Sequence, residues 1–205
     1  MILSFVAVEV FTIIVGLIGW RGKIVLGKKL NEISNNNIPK IQSVATMREY
    51  VTSLKLADRS LLFQNSDDVH KRIRDLFEKS TEKISSAVKK YDNLPKLKEA
   101  EENWVELKPV LEKWIEEEKK ILENIENFRN TGNKDLYQKA SDIRMVETVK
   151  DYYFIGKKLD ELEEMTNNYN ETLQKEAEKE KNTAISVAML FMFFGAVTAV
   201  LLGVV

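Results

Sequence analysis

Cysteine is absent from the chain, and histidine occurs once, as His70. The first absence excludes disulfides and thiolate metal sites. The second excludes a metal cluster built on several histidines, and it leaves one candidate base for a nucleophile–histidine relay. Glycine is scarce where it would matter: between Lys28 and Asn182 only Gly132 and Gly156 occur. No glycine-rich phosphate loop and no nucleophile motif can be found. The helical carboxylate-metal pattern Glu-x-x-His is missing too. An excess of one charge is also lacking. Lys and Arg number 31 against 32 Asp and Glu, a net charge of -1, which argues against a nucleic-acid binder. These absences together predict a protein that is not an enzyme and holds neither metal nor cofactor.

The residues that are present are strongly segregated. Met1 to Trp20 is apolar except for Ser4, Glu9 and Thr12, and Thr183 to Val205 carries no charge. Each is close to the roughly 20 residues that cross a bilayer as a helix. No Lys or Arg precedes the first run, and it ends in Gly19-Trp20-Arg21, unlike a cleaved signal peptide. The expected domains are therefore a membrane helix at 1–22, a polar domain at 23–182 and a membrane helix at 183–205. Arg21, Lys23, Lys28 and Lys29 flank the first span. Charge alone leaves orientation open, because long loops are translocated largely regardless of it. The sequence stops at Val205 inside an apolar run, so a continuation carrying cytoplasmic charges is expected. In the second span Gly195, Ala199 and Gly203 recur every four residues, a small-residue stripe suited to close helix packing in lipid. Glu9 is expected near an interface, since a carboxylate in lipid is costly.

The polar domain reads as all-α. It is rich in Glu, Lys, Leu and Ala and has no strand-like alternation. Leu97, Ala100, Trp104, Leu107, Leu111, Trp114, Glu118, Ile121, Ile125 and Phe128 are spaced 3,4,3,4, a seam for near-parallel bundle packing. Trp104 and Trp114 are read as core, and Glu118 as a polar contact or a solvated end. Pro109 should kink this helix. Ile73, Phe77, Ser80, Ile84, Ala87, Tyr91 and Leu94 keep the same rhythm, ended by "DNLP" at 92–95. Leu30, Ile33, Val44, Met47, Val51, Leu54 and Leu61 form a further ladder, with Asn37, Lys40 and Asp58 on its intervening rungs. Continuous register across "NNNIP" predicts one helix, bent at Pro39. A last ladder runs through Val146, Val149, Tyr153, Ile155, Leu159, Leu162, Thr166, Tyr169 and Leu173. "QNSDD" at 64–68 and "RNTGNKD" around Gly132 are the turns between helices. His70 is expected on an exposed helix face. The fold expected is an antiparallel up-down four-helix bundle whose first and fourth helices continue into the two membrane helices.

"NNNIPKIQSV", "EENWVELKPVLEKW" and "NTGNKDLYQKASD" together resemble the N-terminal part of a bacterial methyl-accepting chemotaxis receptor with a four-helix-bundle sensor domain. The cytoplasmic signalling region is not in this sequence. The resemblance implies a two-pass membrane protein with an extracytoplasmic sensor domain. It implies a homodimer that binds a small-molecule ligand or a ligand-loaded binding protein and passes the signal to chemotaxis. A histidine kinase or cyclase receptor with the same sensor domain is the alternative, and a non-sensing helical scaffold is another. Receptors of the similar aspartate-sensing type hold their ligand with arginines near the far end of the bundle. Here Arg59, Arg72, Arg74 and Arg144 lie on or close to the two turns at that end. Their planar forks suit an organic or amino-acid anion. Arg59 is the first candidate by location.

Overall fold

The structure is a computed structural model that describes residues 2–61 and 66–203. Among those residues all the regular secondary structure is helical. Helix α1 (Ile2–Glu32) passes through a π-helical turn (Ile33–Asn37) into α2 (Ile38–Leu61). Helices α3 (Asp67–Asp92) and α4 (Lys98–Thr131) follow. Helix α5 (Lys134–Asp142) passes through a second π-helical turn (Ile143–Thr148) into α6 (Val149–Gly203). The two π turns leave the four long helices of the bundle that periodicity predicts.

The chain divides into two compact units, residues 1–37 with 168–205, and residues 38–167. The first unit is a pair of antiparallel helical segments. The rings of Phe11 and Phe191 lie 5.9 Å apart, and Lys29 pairs with Glu176 at 2.9 Å. Gly195 of the predicted small-residue stripe lies against Phe11, 3.9 Å from where a Cβ would stand. The side chains of Ala199 and Gly203 fall outside the described residues. By length and composition, helical stretches within Glu9–Leu61 and Lys134–Thr198 are apolar enough to cross a membrane. The predicted turn residues Gln64 and Asn65 also lie outside the described residues.

The second unit is the bundle body. Its core has two apolar clusters. The larger joins Val44, Met47, Val51 and Leu54 of α2 to Ile84 and Tyr91 of α3, to Trp104, Leu107, Leu111 and Trp114 of α4, and to Ile155, Leu159 and Leu162 of α6. The smaller joins Ala57, Leu61, Ile73, Ile121, Leu122, Ile125 and Ala140. The predicted ladders of α2, α3 and α4 are the buried faces, except that Leu97 caps α4 and is 40% exposed, and the polar rungs Lys40, Asp58, Ser80 and Glu118 are buried with them.

The connections follow turn chemistry. Gly132 caps α4 in the left-handed conformation, φ 70°, and its N–H donates to the Phe128 carbonyl at 2.7 Å. The Asn133 side chain accepts from the Asp135 amide at 3.0 Å and opens α5. At the "DNLP" turn, Asp92 accepts from Trp104 Nε1 and Lys108 Nζ, both at 2.7 Å.

Four readings of the sequence need correction. The irregularity expected at Pro39 is a π-helical turn just upstream of it. The extra residue in the turn gives the Pro39 ring room from the carbonyl it would otherwise strike. The inserted residue also puts Leu30 out of phase, 53% exposed. Val146 and Tyr153 are 72% and 69% exposed rather than core. The turn Ile143–Thr148 holds one residue more than α geometry allows, so the true seam runs through Thr148, Tyr152, Ile155, Leu159, Leu162 and Thr166. Finally, His70 is buried, because it stands one rung before Ile73 on the α3 ladder.

Candidate functional site

Between the two apolar clusters the bundle core is charged. Lys55 and Asp58 are one turn apart on α2, Glu118 projects from α4, and Arg144 and Thr148 belong to the second π turn. Asp58 and Glu118 are each 3% exposed. Arg144 Nε lies 3.0 Å from Asp58 Oδ2. Lys55 Nζ is 3.4 Å from the same oxygen and 3.6 Å from Glu118 Oε1. It donates to Thr148 Oγ1 at 3.0 Å. The Thr148 hydroxyl in turn donates to the Arg144 carbonyl at 3.1 Å, and Trp114 Nε1 donates to the Thr148 carbonyl at 3.2 Å. Three helices are thus tied together through one π turn.

Burial makes these groups poor homes for charge. Desolvation, followed by the negative charge of Asp58, raises the Glu118 carboxyl to about 8, against the pull of Lys55 and Arg144. Desolvation also raises Asp58, opposed by Arg144, Lys55 and Arg59. Elsewhere the balance reverses. Burial pushes Asp92 up, but the hydrogen bonds from Lys108 and Trp104 outweigh it and hold that carboxyl low.

The four candidate arginines are not brought together. Arg144 is in the buried cluster. Arg74 donates through Nε to Glu126 of α4 at 2.7 Å. Arg59 is exposed on α2 and Arg72 is exposed on α3. Sequence reasoning placed Lys55 and Thr148 in no site at all. The available signal was the ladder itself, since Asp58 and Glu118 each occupy a rung where every neighbouring rung but a few is apolar. Among the described residues no group of His, Asp and Glu could hold a metal ion.

This architecture can be set beside known families. A family model described as a four-helix-bundle sensory module for signal transduction matches residues 1–181. The chain belongs to that family. The match begins in the N-terminal apolar helix and runs through the whole bundle body, so the sensory module takes in both units. No curated protein and no solved structure matches the chain.

Proposed function

We propose that the chain is the ligand-sensing and transmembrane-signalling part of a bacterial chemoreceptor. The sensory module would stand outside the cytoplasm between two membrane helices, at 1–22 and 183–205, and would do no catalysis. The single observation that carries this reading is the match to a sensory module over residues 1–181, which includes an apolar helix able to cross a membrane. A second copy of the chain is the proposed partner. Large apolar side chains left exposed on the bundle body, Leu56 of α2 and Met145, Val146 and Tyr153 beside the second π turn, support that. The proposed ligand is an organic or amino-acid anion, or a binding protein that carries one. Arg144 and Arg74 are engaged by Asp58 and Glu126, which leaves exposed Arg59 and Arg72 as the arginines best placed to meet it.

Signalling would use α6, a helix unbroken from Val149 to Gly203. Shifts of about 1–2 Å in a packed helix are enough to carry a signal. The test is a hybrid receptor, in which residues 1–205 are joined to the cytoplasmic region of a characterised chemoreceptor in cells lacking their own. A panel of organic and amino acids should bias swimming, and the Arg59→Ala variant should lose the response. A response that survives Arg59→Ala would sink the assigned residue. No response to any acid, from a hybrid that reaches the membrane, would sink the anion-sensing reading.

A further inference from the structure

Two carboxyls and two cations are enclosed in the core at the place where the fourth long helix leaves α geometry. A buried ion cluster that only stabilised the fold should have its carboxylate oxygens saturated with donors. This one does not. Among the described residues, Asp58 Oδ1 and Glu118 Oε1 accept no hydrogen bond. The nearest cation to Glu118 Oε1 is Lys55 at 3.6 Å, longer than a hydrogen bond. Such a carboxyl is badly placed for a negative charge and well placed for a proton.

We propose that the Lys55–Asp58–Glu118–Arg144 cluster is a proton-binding site. Glu118, coupled to Asp58, takes a proton from solvent and returns it, and its charge decides how firmly the π-helical turn Ile143–Thr148 is held. With Glu118 neutral, Lys55 serves Asp58 and Thr148, and α2 is bound to the turn. With Glu118 ionised, Lys55 is drawn toward α4 and its hold on Thr148 weakens. A π turn released to α geometry shifts the following helix by one residue, about 1.5 Å along its axis. That displacement is what gives a proton a mechanical consequence.

The surroundings are consistent with one dominant titrating group. The charges acting on Glu118 are Asp58, Lys55 and Arg144, and those acting on Asp58 are Arg144, Lys55 and Arg59. No charged side chain of α3 is among them. On α4 the neighbouring Glu117 pairs with Lys113 at 2.9 Å, and Lys113 also holds Asp151 of α6 at 3.0 Å. The side chain of Glu147, in the turn itself, lies outside the described residues. A Glu118 carboxyl raised to about 8 exchanges its proton across the neutral range.

Proton uptake stands by itself; only its passage to an output rests on the signalling role proposed above. Trp114 reports on the site, since its Nε1 donates to the Thr148 carbonyl. It is one of three tryptophans, so Trp20→Phe with Trp104→Phe leaves it alone. In the 205-residue chain in lipid nanodiscs, its fluorescence should change sigmoidally with a midpoint near pH 8. Glu118→Gln should abolish the transition, and Asp58→Asn should move it to lower pH. Amide exchange of the 143–148 segment in the chain with all its tryptophans should be slower in Glu118→Gln than in the parent above pH 8 and equal below pH 6. This second readout serves if the double tryptophan variant does not fold. No transition, or one that persists unchanged in Glu118→Gln, overturns the proposal. If the transition is present but a hybrid receptor that answers acids is indifferent to pH, the passage of the proton to an output fails and the proton site stands.

Discussion

Glu118 stands on a rung of the α4 ladder that Leu111 and Trp114 precede and Ile121 and Ile125 follow. Its folded carboxyl is raised from an ordinary 4.5 to about 8, so the folded state holds a proton that the unfolded state has lost. The associated stability is fully present below pH 4.5, falls as pH rises, and is gone above about 8. Urea melts at pH 5, 7 and 9 should show Glu118→Gln gaining on the parent from the first pH to the last. A constant difference would contradict the raised carboxyl. Trp114 is fully buried and donates to the Thr148 carbonyl. Trp114→Phe should cost about 1–3 kcal/mol, because it leaves that carbonyl without its donor. The loss should appear as a lower urea midpoint with an unchanged slope.

At the level of the element, the joint after α4 depends on one glycine. Gly132 has φ 70°, a conformation that strains any residue with a Cβ, so Gly132→Ala should destabilise by about 1 kcal/mol. Open space around the position means the effect would be backbone strain rather than a clash. The second π turn makes a sharper prediction. Ala140 and Thr148 are both buried on one seam, yet they are eight residues apart where two heptad-type steps take seven. Deleting Met145, which is 70% exposed, should restore α geometry and keep a cooperative melt. A one-residue deletion inside α4, which keeps α geometry, would throw its seam out of phase and should unfold the chain. Regular spacing was legible for α2, α3 and α4 because those helices keep α geometry along their buried faces. It misplaced Val146 and Tyr153 because an inserted residue has no mark of its own in the pattern.

For the whole molecule, a sensory bundle with a charged layer between two apolar clusters has two ways to use that layer. It can fix the register of the helices, as buried polar groups do in coiled coils, or it can respond to protons. The pH dependence of Glu118→Gln separates these, because a purely register-fixing contact has no reason to titrate near neutrality. Signalling through α6 is tested in the hybrid receptor. Two glycines inserted after Lys179 should leave ligand binding intact and abolish the response, since they break the rigidity of the helix. An undiminished response would exclude a rigid α6 as the carrier.

The sequence by itself determined the helical class, the number of long helices, the apolar ends and the buried faces of three helices. These follow from periodicity, composition and the scarcity of glycine and proline, all of which act locally. Only the tertiary structure decided which charged residues meet. Lys55, Asp58, Glu118 and Arg144 come from three separate parts of the chain, and no local rule links them. It also decided which polar rungs are enclosed, because burial depends on what stands across the core. The two π turns belong to the same class: packing between neighbours sets where a helix must take up an extra residue, and the ladder of any one helix carries no record of it.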